Sequence, residues 1–391
     1  MRLHFLRFSF LGSALLMLLM LTGGTAGAYS GSHAGINPAA FRAVPRHSAP
    51  VHLKVSALDT SSSGTHYLYV DDGTSPDSID VYKTGKTLTH VGNYPTGGAV
   101  VTAYFGSSII AVTPGCLIYG DGNSFVDSYP INTDGSLGTQ VSHIAVSGAP
   151  SDIHIKKGTV YVNIPSVEIA SFGLGSGCTL TSESSVATSS YFMVNFGIAG
   201  KVLLAPDLST TNIAAYSLGT GGSITALNTV AGQVQGPDGV AVQRMPSGVF
   251  HVFTGQAIFG PPAAQAGKLN SSTGAITFMN GSPATDPNGN NGAGVTFNTT
   301  NHILIQGEQF SGTLANYTVV KGTISFKSET TMAVSGESPS DFAQLNAKLF
   351  VSMIYNGDVE ACTLTSSGAT GCKTVATLTN TSGVEAGMAL L

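Results

Sequence analysis

Apolar and polar residues alternate along most of the chain after residue 51, in short runs broken by Gly, Pro, Asn, Asp and Ser. A period of two is the mark of half-buried β-strands. In "DSIDVYKTGKTLTHVGNYPTGG", residues 77 to 98, two alternating runs flank a polar break and stop at Gly97 and Gly98. That predicts two antiparallel strands and then a step into a new unit. Beyond the N-terminal apolar run, no stretch keeps the 3.6-residue period of a helix.

The pattern recurs as "FVDSYPINTDGSLGTQV", "VEIASFGLGSGCTLTSESSV", "NIAAYSLGTGGSITALNTV", "AGKLNSSTGAITFM", "LANYTVVKGTISFKSE" and "VEACTLTSSGATGCKTV". With Tyr82, Tyr129, Phe172, Tyr216, Leu269, Tyr317 and Cys362 taken as equivalent, successive copies lie 43 to 53 residues apart. A repeat of that length made only of short strands marks the four-stranded blades of a propeller. A more apolar strand precedes each copy: "HYLYVDD", "SIIAV", "TVYVNIP", "KVLLAPD", "FHVFTGQ", "HILIQGE" and "KLFVSMIYN". Before it comes a shorter segment introduced by Gly, Pro or Asp, as in "GAPSDIHI", "QGPDGVAV" and "GESPSDFAQL". The expected fold is all-β, a seven-bladed propeller of four-stranded antiparallel blades, each running from the inner strand outward.

The first blade lacks an inner strand in the expected place. "VHLKVSAL" is one candidate, but the terminal "SGVEAGMALL" resembles the inner-strand introductions and begins no blade of its own. The C-terminal strand is therefore expected to close the ring, which removes two exposed sheet edges.

Composition adds a setting. Arg2 and Arg7, the apolar "FLGSALLMLLML" and the small residues Ala26-Gly27-Ala28 form a signal-peptide pattern over residues 1 to 28. Residues 29 to 50 read as a flexible leader rich in Gly, Ser, Ala and Pro, and residues 51 to 391 as the propeller. Without Arg2 and Arg7 the balance is 14 basic to 21 acidic residues. That acidic excess argues against nucleic acid or an anionic membrane surface as partner, since both need clustered Lys and Arg. No membrane span is expected after cleavage. Only 9% of residues are charged while 42% are hydrophobic, which separates the chain from disordered proteins. A secreted or periplasmic protein, monomeric, is the reading.

Four cysteines suit an oxidising compartment. Cys362 and Cys372 bracket the turn-rich "TLTSSGATG" and predict a local disulfide. Cys116 and Cys178 are left as a long-range pair, with free thiols as the alternative for all four, because sequence does not fix connectivity. No C-x-x-C spacing occurs, which disfavours thioredoxin-like chemistry and four-cysteine zinc sites.

"YLYVDD" and "TVYVNIP", followed by "SIDVYKTG" or "VEIASFG" and introduced by "GAPSDI" or "GPDGVAV", resemble the seven-bladed propellers of the lactonase and YVTN-repeat group. The resemblance covers about residues 65 to 391 and implies that fold. Lactonase-type members carry a Gly-Pro-Arg-His-like motif before an inner strand. Here "GAPSDIH", "GPDGV" and "ESPSDFA" place Asp where that group has Arg or His. The departure removes the cation that a phosphorylated sugar would need.

No G-x-S-x-G elbow, H-E-x-x-H pair, P-loop or dinucleotide fingerprint is present. "DPNGNNG" sets Asp286, Asn288 and Asn290 at calcium-loop spacing, but Asn291 holds the glycine position and Phe297 the place of the bidentate Glu. A turn between the fifth and sixth blades is expected there, so no cofactor is assigned beyond weak calcium. His154, in "SDIHI", reads as a packed or hydrogen-bonded channel residue, and Arg244, in "QRMPSG", as an exposed turn residue.

The loops that start the inner strands and those between second and third strands share one end of a propeller. They hold Asp152, Asp238 and Asp341 in the first set, and Asp72, Asp207 and Glu308 in the second. This acidic mouth is the candidate ligand site, for a small molecule, a glycan or a protein. Asp at a strand start can instead simply satisfy turn N–H groups. The leading expectation is an exported binding or scaffold module, with catalysis left open. The alternative is a lactonase-like hydrolase with an acidic, metal-assisted central site, and a surface adhesion protein ranks third.

Overall fold

The computed structural model describes residues 65–391 except 74–75, 86, 100–107, 189–191, 258–260, 290, 310, 335–337, 354–355 and 379–386. The signal and leader segments, and "VHLKVSAL", lie outside them.

Seven antiparallel sheets follow one another along the chain. Each lies where the repeat places it, and each equivalent residue from Tyr82 to Cys362 falls on the third strand of its blade. In five blades the pairing of third and outer strands shifts register at that residue: at Val81/Tyr82, Ser171/Phe172, Ala215/Tyr216, Asn316/Tyr317 and around Cys362. A bulge there adds local twist and turns the ring toward the neighbouring blade. Tyr82, Phe172, Tyr216 and Tyr317 are all buried.

One expected strand differs. "SIIAV" is the inner strand of blade 2 (Ile110–Thr113), not its second, and "CLIYGD" (Cys116–Asp121) is the second. The cause is local. Thr113 pairs with Cys116 across Pro114-Gly115, and Gly115 takes a φ of 82°, so the chain folds back where the sequence reading ran straight on. Blade 5 carries a further surprise. Its outer strand, Ile276–Phe278, is short, and Ala284–Thr285 pairs with the far end of the third strand, Ala263–Leu269.

Closure is as expected. Met388–Leu390 pairs antiparallel with Tyr67–Asp71, Leu68 opposite Leu390, and supplies blade 1 with its inner strand. The apolar residues sort into seven clusters, each shared by two adjacent blades, the seventh joining blade 7 to blade 1 through Phe350, Val359, Leu68 and Val70. Seven blades in an open row would share six interfaces. Phe253 and Phe297 stack across the junction of blades 5 and 6, centroids 4.6 Å apart and planes 5° from parallel.

Both disulfides are formed. Cys362–Cys372 ties the third and outer strands of blade 7, and Cys116–Cys178 ties blade 2 to blade 3.

Candidate functional site

Strand direction alternates within every blade, so the start of each inner strand and the link between second and third strands lie at the same end of the ring. All six predicted carboxylates lie at that end, but they do not form one site.

Asp152 opens the inner strand of blade 3 (Asp152–Lys156), and its carboxylate joins three blades. Oδ1 accepts from Ser108 N of blade 2 at 3.0 Å, and Oδ2 from Phe196 N of blade 4 at 2.8 Å. Asp341, on the inner strand Pro339–Leu345 of blade 7, accepts from Phe342 N at 2.7 Å and from Met388 N at 2.8 Å. Asp238, on Pro237–Arg244 of blade 5, accepts from Gly239 N at 2.9 Å and from Asn195 Nδ2 of blade 4. Among the described residues no Lys or Arg pairs with any of them.

Burial without a cation raises the carboxyl pKa values of Asp341 and Asp238. Asp341 is pushed up to about 7 by burial, against the pull of its two N–H donors and with the negative Asp152 adding to the rise. Burial lifts Asp238 to about 8, opposed by Gly239 N–H and aided by Asp152. Asp152 thus acts on both others across the axis.

His154, two residues along the strand from Asp152, sets Nε2 3.3 Å from Asp152 Oδ2, with about 40% of its side chain exposed. Its ring leans on Phe196 at 4.7 Å. Burial works against its protonation, but Asp152 and then Asp341 outweigh that, and its pKa is raised above the ordinary 6.5. The ring packs on Phe196 and faces Asp152, and beside these contacts is a charge relation with two carboxyls that the sequence did not reveal.

The other three carboxylates are dispersed. Asp207 caps its own turn, accepting from Ser209 N, Ser209 Oγ, Thr210 Oγ1 and Phe192 N. Asp72 accepts from Ser78 N and Oγ and from Asn93 Nδ2. It lies in a buried group with Asp71 and Asp77, one oxygen of each within 4.8 Å of the others. Burial raises Asp77 above the usual carboxylate range, while Tyr119 OH donates to its Oδ2 and opposes the shift. Glu308 gathers with Asp286 and Glu329. Of the remaining candidates, Arg244 is exposed at a strand end, and Asn288 N and Gly289 N donate to Asp286 Oδ1 in the expected turn between blades 5 and 6. Asn290 lies outside the described residues.

No protein-family model matches the sequence, and no curated protein matches it either. Solved structures do resemble the fold. A putative 6-phosphogluconolactonase from Bacteroides fragilis superposes with a TM-score of 0.68 at 12% identity, covering 86% of this chain and 100% of that one. The periplasmic gluconolactonase of Pseudomonas aeruginosa gives 0.63 at 15% identity, covering 84% and 99%. A protein from Lactobacillus plantarum gives 0.65 at 16%, covering 84% and 99%. At such identities the likeness establishes the fold, a propeller like those of lactonases.

Proposed function

We propose that the chain is a hydrolase of neutral lactones that works at the axial end of the ring, with Asp341 as the acid–base group and His154 as the cation that polarises the lactone carbonyl. The observation that carries this reading is the grouping of His154 with Asp152 and Asp341, in which a carboxyl titrating near 7 shares its field with a partly exposed imidazole. A general base works best when its pKa lies near the working pH.

The chemistry is simple. The Asp341 carboxylate takes a proton from water as the oxygen adds to the carbonyl carbon. Protonated His154 stabilises the resulting oxyanion. Asp341 then returns its proton to the ring oxygen as that C–O bond breaks, leaving a hydroxy acid. Asp152 keeps His154 charged and in place.

The fold of the putative 6-phosphogluconolactonase and the periplasmic gluconolactonase supports a lactone as substrate. The absence of a Lys or Arg partner at these carboxyls, among the described residues, favours an uncharged sugar lactone over a phosphorylated one. Two disulfides support a secreted or periplasmic setting.

The binding-module reading draws on one observation, that Asp152, Asp238 and Asp341 are already engaged with backbone or amide N–H groups. Proton release from glucono-δ-lactone and its 6-phosphate separates the two readings. The hydrolase reading expects turnover of the neutral lactone above the spontaneous rate and much less of the phosphate. Rates equal to buffer for both, with the protein folded, would support a non-catalytic module.

A further inference from the structure

Away from the axis, the outer part of blade 6 holds Asp286, Glu308 and Glu329, contributed by three separate parts of the chain. Asp286 lies in the turn before Gly292–Asn298, Glu308 ends Ile303–Glu308, and Glu329 lies on the outer strand Thr323–Thr331. One oxygen of each falls within 4.8 Å of the other two. Asp286 and Glu308 have no solvent exposure, and among the described residues no Lys, Arg or His pairs with either.

The hydrogen bonds leave a vacancy on each buried group. Asp286 Oδ1 is used by Asn288 N at 2.9 Å and Gly289 N at 3.2 Å, while Oδ2 meets no N–H or hydroxyl donor among the described residues. Glu308 Oε2 is used by Thr313 Oγ1 and by Ser311 Oγ at 3.4 Å, while Oε1 meets no N–H or hydroxyl donor among the described residues. A buried carboxylate oxygen without a donor is costly, and two beside a third acid are more so. At Gly289 any side chain would collide with Glu308 Oε1 and with Pro262, so the missing Cβ keeps this space open. Glu329 is exposed and gives access from solvent.

We propose that Asp286, Glu308 and Glu329 bind a divalent cation of the calcium type, at a structural site that pins the turn between blades 5 and 6 to the second and outer strands of blade 6. Hard oxygen ligands in an irregular cage suit calcium better than magnesium, which demands a near-octahedral shell and sheds water reluctantly. In the sequence Asp286 stands in a loop without its bidentate Glu, Glu308 stands apart among the mouth acids, and Glu329 shows no link to either. The missing carboxylates arrive from strands that begin some twenty and forty residues later. This site is independent of the proposed hydrolysis.

The test uses the full chain stripped with a chelator. Calcium at about 100-fold above its Kd should raise Tm by roughly 3–6 °C, with magnesium doing less. Terbium should bind one site and luminesce when tyrosine is excited, because Tyr317 senses the charges of Asp286 and Glu308. Glu308→Gln and Glu329→Gln should each remove or weaken both responses by tenfold or more, and the exposed Glu329 provides a variant that will fold. An unchanged Tm with calcium, or terbium binding that survives both substitutions, would overturn the proposal. If the group is instead a carboxylic acid hydrogen-bonded to a carboxylate, Glu308→Gln will match the wild type in chelator and the wild type will ignore calcium.

Discussion

The backbone N–H of Met388 donates to Asp341 Oδ2 at 2.8 Å, joining the strand that closes blade 1 to the inner strand of blade 7. The same N–H lies 3.2 Å from Ser108 Oγ of blade 2. A group proposed to move protons is therefore also a clasp at the ring's seam, which keeps its carboxyl oriented.

Deleting residues 387–391 removes this clasp and bares the Tyr67–Asp71 edge. The buried Met388 side chain alone contributes about 1.5–3 kcal/mol, and the exposed edge adds a tendency to associate. The expected outcome is a lower urea midpoint with concentration-dependent aggregation. A midpoint equal to the full chain would show that blade 1 does not depend on the C-terminal strand.

Stability should fall as pH rises from about 4 to 8. Asp341 and Asp238 have folded pKa values of about 7 and about 8 against an ordinary 3.8, so the native state holds protons that the unfolded state has released. Each group then contributes a slope of about −1.4 kcal/mol per pH unit across its own window. Urea titrations at pH 5 and pH 8, in chelator, should give the higher midpoint at pH 5. The reverse order would mean that these carboxyls are ionised in the folded protein.

The disulfides should contribute unequally. Chain entropy assigns about 4 kcal/mol to Cys116–Cys178, which closes 62 residues, and about 3 to Cys362–Cys372, which closes 10. Paired Cys→Ser variants compared by calorimetry should show the larger Tm loss for the inter-blade bond.

Gly239 follows Asp238 at a register shift in blade 5 and takes a φ of 65°. A Cβ there would come within 2.7 Å of Val295 N in blade 6. Gly239→Ala is expected to cost roughly 1–3 kcal/mol, read as a drop in denaturation midpoint, whereas Gly248→Ala, where a Cβ meets nothing within 4 Å, should cost less.

The fold was legible because a propeller repeats itself. Tyr82, Tyr129, Phe172, Tyr216 and Tyr317 recur at one place on the third strand, and the terminal "SGVEAGMALL" could be recognised as an inner-strand segment without a blade. Blade 2 misled because its inner strand is four residues long and separated from the next only by Pro114-Gly115. The chemistry was harder to read. The six mouth acids could be placed at one end, but nothing in the sequence tells that Asp207 caps its own turn while Asp152 reaches Ser108 and Phe196 in neighbouring blades. The pairing of Asn195 with Asp238, and the meeting of Asp286 with Glu329, depend on strands that come together only when the ring is built.

The central claim is that Asp341 and His154 do acid–base chemistry at the axis. The most direct measurement is the pH profile of kcat/KM for a neutral aldonolactone, in the wild type, Asp341→Asn and His154→Gln, each checked for a native melting transition. The account predicts a wild-type rate that rises with pH as Asp341 ionises near 7 and falls as His154 loses its proton above the ordinary 6.5. Asp341→Asn should lose roughly 10²–10⁴-fold and the acidic limb, and His154→Gln roughly 10²–10³-fold and the basic limb. Folded variants with wild-type rates and an unaltered profile would contradict it.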